Sequence, residues 1–130
     1  MIQRFIDHFV AKIEERRERF TRVVLDAQEG ADTLVISYGI TARSAREAVI
    51  QARHRNRFVS HLMILSIWPV PEKVIREAAR EVKRVIVPEL NMGQYILEVQ
   101  RVLGPGIDVI GVNKMDTTLL SPDEILKRLA

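Results

Sequence analysis

The 130-residue chain contains no cysteine, which excludes disulfides, thiolate-held zinc, iron–sulfur ligation and a cysteine nucleophile on this polypeptide. Glycine and proline number only 6 and 5, too few for a linker or a low-complexity chain. No apolar run approaches the roughly 18 residues that a membrane helix needs; the longest, Leu62 to Val70, is broken by Ser66. Residues 1–20 carry Asp7, Lys12 and an unbroken charged run from Glu14 to Arg19, too polar for the apolar stretch of a signal peptide. The net charge of +3 is mild and aromatics are only 5%, so nothing demands a nucleic-acid partner. What is present is 47% hydrophobic residues over the length of one ordinary domain. These features predict a soluble, cytoplasmic, single-domain protein, with neither membrane nor nucleic acid as partner.

Residues 1–20 read as an amphipathic helix, because Ile2, Phe5, Ile6, Phe9, Val10 and Ile13 recur at steps of three and four. That apolar face has to pack on the domain behind it or on a partner chain. From Thr21 the period changes. Arg22–Leu25 is a short strand candidate, and Thr33–Tyr38 is a dense β-branched run without alternation, as in a strand covered on both faces. Gly39 stops it, and Thr41 is placed to cap a helix from Ala42 to about Arg55. Phe58–Leu65 reads as a third strand and Pro71 as the start of a helix reaching about Glu81. Arg84–Val87 reads as a fourth strand closed by Pro88, followed by a helix from Met92 to Leu103 capped by Asn91. Ile107–Val112 is the fifth strand, and Ser121-Pro122-Asp123-Glu124 opens the last helix. Repeated strand–helix alternation with right-handed crossovers predicts an α/β domain, a mostly parallel sheet with helices on both faces. In such sheets the loops after the strands' carboxyl ends carry function.

Ile110–Asp116 contains Asn113-Lys114-Met115-Asp116 after a strand, the arrangement by which GTPases read guanine. A GTPase also needs a glycine-rich phosphate loop ending in Lys-Ser or Lys-Thr, and none exists here. His8, His54 and His61 fall on separate elements, which argues against a shared metal site and for surface or half-buried structural histidines. Arg53, Arg55 and Arg57 lack interleaved aromatics, and the response-regulator pattern of acids at strand ends is absent. The residues alone define an α/β domain without a complete active site.

Three strand-end segments together resemble one family. Gly39-Ile40-Thr41-Ala42-Arg43-Ser44-Ala45-Arg46-Glu47-Ala48-Val49 is similar to the Gly-Ser-Thr-Ala start found in α chains of 2-oxoacid:ferredoxin oxidoreductases. Ile67-Trp68-Pro69-Val70-Pro71-Glu72 resembles that family's Trp-Pro-Phe-Pro turn, and Val87–Gln94 resembles its Glu-x-Asn-x-Gly-Gln loop. The closing segment from Lys114 to Leu126 fits as well, and offers Asn113–Asp116 a home other than a guanine site. Ile40, Val70 and Thr117 depart from the pattern, where Ser, Phe and Gly are usual.

The resemblance implies a transketolase C-terminal-like domain over residues 21–130, preceded by the helix of residues 1–20. Its three-layer α/β/α form has a five-stranded sheet in the order 1-3-2-4-5 with the first strand antiparallel. It also implies membership of a complex that oxidatively decarboxylates a 2-oxoacid to acyl-CoA, using thiamine diphosphate, Mg²⁺ and iron–sulfur clusters, with ferredoxin as acceptor. None of these cofactors is expected on this chain, which has no cysteine and no acidic Gly-Asp-Gly motif. The expected partners are a thiamine-binding β chain and a ferredoxin-like chain in an oligomer. The chain itself is expected to be a C-terminal domain fragment or a separately encoded small subunit, inactive alone. A free-standing small-molecule-binding or regulatory α/β domain is the rival reading. Gly39, Thr41, Trp68, Glu89, Asn91, Gly93 and Gln94 are the candidate rim residues, with no catalytic, cofactor or metal ligand among them. Trp68 suits the core somewhat better than an interface. Glu89 is expected to meet a partner's arginine or backbone amides, so that Glu89→Ala weakens assembly and leaves the fold intact.

Overall fold

The computed structural model describes residues 22–90, 93–114 and 118–130; the helix expected over residues 1–20 and the cap expected at Asn91 lie outside them. The strands are β1 (Val23–Asp26), β2 (Thr33–Tyr38), β3 (Val59–Ile64), β4 (Arg84–Glu89) and β5 (Asp108–Asn113). They form one sheet in the order β1-β3-β2-β4-β5. β1 is antiparallel to β3, and the other pairs are parallel. The helices are α1 (Thr41–His54), α2 (Glu72–Ala78), α3 (Gln94–Leu103) and α4 (Pro122–Leu129), with a 3₁₀ turn at Gly104–Gly106.

The unalternating run of β2 is explained by its central place: Thr33 through Ser37 are all buried. Leu34 and Ile36 face one core with Leu62, Ile75, Val85, Val87 and Val99. Val35 faces the other, formed with Ile86, Ile125 and Leu129. There Ala45, Ala48 and Ala52 give α1 a stripe of small side chains at helical spacing. Each fully buried Leu, Ile or Val contributes roughly 1.5–3 kcal/mol, so the two cores outweigh any single loop contact.

Several boundaries differ from the sequence expectation, each for a local reason. Thr41 is the first helical residue of α1; the N-cap is Ile40, already at φ −63° and ψ −27°, with no side-chain cap. The expected capping by Thr41 is therefore replaced by a turn at Gly39, φ +60°. α1 ends in a Schellman motif: the Asn56 N–H donates to Arg53 O and the Arg57 N–H to Ala52 O, each at 3.0 Å, with Asn56 at φ 61°. α2 stops at Ala78, three residues short of expectation, where Ala79, Arg80 and Val82 curl into turn hydrogen bonds.

β4 runs through Pro88 instead of ending before it. Its ladder with β2 stops at Ile86, and from Val87 to Glu89 the registered pairing is with β5 alone. A residue without an N–H is tolerated where the ladder on one side has ended. α3 begins at Gln94, two residues later than expected, with Gly93 as N-cap at φ 85° and no side-chain cap of its own. α4 opens as the sequence predicts. Ser121 Oγ accepts from the Glu124 N–H at 3.2 Å, and the Glu124 carboxylate accepts from the Ser121 N–H at 2.8 Å. Among the described residues no helix is long and apolar enough to cross a membrane.

Candidate docking rim

The parallel strands end on one rim, and its centre is Glu89. This residue closes β4 and is 1% exposed. One carboxylate oxygen accepts from the Tyr38 hydroxyl and from the Tyr95 N–H, both at 2.7 Å. The other accepts from the Ile96 N–H at 3.1 Å. A strand-end carboxylate thus fills the place of the missing side-chain cap on α3, where unpaired N–H groups and the helix dipole both favour negative charge. Of the two contacts expected of Glu89, the backbone amides are the ones seen, supplied by Tyr95 and Ile96 of its own chain. Tyr38 and Tyr95 stack at 5.1 Å between ring centroids, tilted by 51°. The Tyr95 hydroxyl donates to Ile67 O at 3.3 Å, and burial pushes this phenol above its usual pKa. Glu89 and Tyr95 together therefore tie β2, β4, α3 and the β3–α2 loop into one block.

Above that block lies a groove of about 330 Å³ lined by Tyr38, Ile67, Trp68, Gln94, Tyr95 and Glu98. Trp68 is 75% exposed, which overturns its expected core placement. It precedes a cis peptide to Pro69, and its loop neighbours Leu65 and Ile67 are exposed too. Ile40, where the resembling family has a serine, is 63% exposed. Large apolar side chains thus cluster outward on loops that issue from adjacent strand ends.

Gly93 and Gly111 make room for Asn113. A Cβ on Gly93 would meet Asn113 Nδ2 at 2.8 Å, and one on Gly111 would meet Asn113 Oδ1 at 3.0 Å. Lys114 Nζ donates to the Glu124 carboxylate at 2.9 Å and to Leu119 O at 3.2 Å, and this lysine holds the Glu124 carboxyl below its usual pKa. The two described residues of the Asn-Lys-x-Asp segment thus join β5 to α3 and α4. Of the candidate residues, Gly39, Trp68, Glu89, Gly93 and Gln94 stand on this rim and Thr41 is buried at the start of α1; Asn91 lies outside the described residues.

Sequence reasoning missed the Tyr38–Glu89 bond and the Ser37–His61 pair. The latter joins Ser37 Oγ and His61 Nε2 at 2.6 Å, both side chains buried. Burial pushes the His61 imidazole down to about 4, against the upward pull of Asp26. Its place on a strand flanked by buried residues was the available signal; its serine partner, 24 residues away, was not.

An open sheet of this order, with one antiparallel edge strand and helices on both faces, defines the class of transketolase C-terminal-like domains. A split-gene transketolase solved as an inactive β4 tetramer superposes at TM-score 0.72 with 21% identity, over 83% of this chain and 40% of that one. The 2-oxoglutarate:ferredoxin oxidoreductase of Magnetococcus marinus superposes at 0.80 with 23% identity, over 95% of this chain and 23% of that one. Within that class, residues 31–125 match the model of the pyruvate:ferredoxin oxidoreductase core domain II, and the chain belongs to this family. The 2-oxoglutarate synthase subunit KorA of Methanothermobacter marburgensis is 35% identical over 127 residues, covering 98% of this chain and 34% of that subunit. The ketoisovalerate oxidoreductase subunit VorB of Methanothermobacter thermautotrophicus is 30% identical over 125 residues, covering 96% and 34%. The chain spans about a third of the length of the curated relatives it matches.

Proposed function

We propose that this chain is a non-catalytic core domain of a 2-oxoacid:ferredoxin oxidoreductase, docking through its strand-end rim onto the polypeptide that carries the chemistry. The observation that carries this reading is the rim itself. Among the described residues its one buried carboxylate is engaged in holding the rim together, while Trp68, Ile67 and Ile40 point large apolar surface outward. Exposed apolar clusters of this kind mark interaction sites.

An iron–sulfur cluster does not fit the residues of this chain. There is no cysteine for an iron–sulfur cluster, and among the described residues no group of three or more His, Asp or Glu side chains is placed to hold a metal ion. On this reading thiamine diphosphate, Mg²⁺ and the clusters are held by other polypeptide, a thiamine-binding β chain and a ferredoxin-like chain, and no reaction step is assigned here. Relatives named for 2-oxoglutarate and for ketoisovalerate both match, so the likeness is to the class of 2-oxoacid enzymes rather than to one substrate. The complex is cytoplasmic and oligomeric on this reading.

Co-purification tests it. Trp68→Ala removes an exposed ring and leaves both cores intact, so the variant keeps the parent's melting temperature within about 2 °C but recovers at least fivefold less of the thiamine-binding chain. Undiminished recovery would remove the rim from the interface.

A further inference from the structure

The groove above Tyr38 and Tyr95 has a charge as well as a shape. Among the described residues its lining holds three aromatic rings, those of Tyr38, Trp68 and Tyr95, and one charged side chain, Glu98, with no lysine or arginine. Glu98 stands four residues after Gln94 on α3, so the two share one face of that helix. The Glu98 carboxylate accepts from Arg101 Nε at 2.9 Å. The same guanidinium pairs through Nη2 with Glu72 at 2.6 Å, so one positive charge is spread over two carboxylates. A helix N-terminus beside a groove ordinarily suits an anion. Here that end is already occupied: Glu89 takes the N–H groups of Tyr95 and Ile96 and places a buried carboxylate against both tyrosines. The Tyr95 phenol responds to these surroundings. Burial first, then Glu98, and after it Tyr38 and Glu89, all raise its pKa. Ring faces attract cations, and neighbouring carboxylates add to the attraction.

We propose that this groove receives an arginine side chain of the docking partner, its guanidinium lying against the Trp68 ring and pairing with Glu98. The inference rests on the rim being the docking surface, and names the chemistry that the partner brings to it. A guanidinium suits the place better than an ammonium, because it stacks flat on an aromatic face while its N–H fork reaches a carboxylate. Trp68, at 75% exposure, has ring surface to offer, and Glu98 lines the same groove. An anionic group would meet two carboxylates and a helix end whose N–H groups are already used.

The test compares variants of the full chain for affinity to the thiamine-binding chain at low and high salt. Glu98→Gln keeps the shape and removes the charge; it should weaken docking about fivefold at low salt and flatten the salt dependence. Glu72→Gln also loosens Arg101 but does not line the groove, and should change affinity by less than about twofold. As a direct probe, N-acetyl-arginine amide should shift the Trp68 indole N–H resonance, and the uncharged N-acetyl-citrulline amide should not. Docking that Trp68→Ala weakens and Glu98→Gln leaves unchanged would overturn this inference while sparing the rim. Equal weakening by Glu72→Gln, or equal shifts with the two amides, would overturn it too. Docking that Trp68→Ala leaves unchanged would remove the rim itself, and the inference with it.

Discussion

Replacing Glu89 by alanine is the most informative perturbation of the rim. It takes the acceptors from one phenol and two amides, the Tyr38 hydroxyl and the N–H groups of Tyr95 and Ile96, at a site 1% exposed. Hydrogen bonds to a charged group are worth about 1.5–3 kcal/mol each, and a lost helix cap about 1 kcal/mol. These terms overlap, so about 3–5 kcal/mol is the expected loss, a large share of the 5–15 kcal/mol that holds a domain of this size. Glu89→Gln keeps the shape and one acceptor, and should lose about half as much. Tyr38→Phe removes the phenol bond alone and should cost about 1 kcal/mol. Urea unfolding of the three variants and of the Tyr38→Phe/Glu89→Ala double variant gives the coupling directly. A Glu89→Ala loss below about 1 kcal/mol would refute the assignment of Glu89 as the cap of α3. The same numbers replace the sequence-based expectation that this substitution spares the fold.

Two further predictions concern other parts of the molecule. The His61 imidazole sits near 4 when folded against an ordinary 6.5, so between those values the unfolded chain binds more protons. Stability should therefore fall as pH drops from about 6.5 to about 4, by up to about 3 kcal/mol, and be complete above 6.5; thermal melts of His61→Gln should show a flatter slope in that window. Gly93→Ala should cost about 1–2 kcal/mol for its φ of 85° alone, and more for the approach to Asn113; adding Asn113→Ala should recover only the second part, measured by denaturant melts.

The sheet was legible because its central strand is extreme. Thr33–Tyr38 announces burial on both faces, and Ser121-Pro122 with Glu124 carries its whole capping motif within four residues. The strand order and the antiparallel edge came from a family resemblance, carried by the Gly39, Trp68 and Glu89 loops. What stayed hidden was non-local. Nothing near Gln94 shows that its helix takes its cap from Glu89, across a turn at Gly93. Pro88 reads as a strand breaker until β2 is known to end its pairing at Ile86. Trp68 reads as core by residue type, because hydrophobicity alone does not tell an inward from an outward ring. Thr41 reads as a cap because Ile40, an exposed apolar residue, is a poor one on propensity, yet its backbone is already helical.

Trp68 is the only tryptophan of the chain, and this makes its fluorescence the most direct measure of docking. Free, the 75% exposed ring should emit as a solvated indole and be quenched readily by iodide. On titration with the proposed partner, a thiamine-binding chain with its own tryptophans replaced, the emission should move to shorter wavelength and the quenching constant fall severalfold. Binding that leaves both unchanged would place the partner elsewhere and contradict the rim as the docking surface.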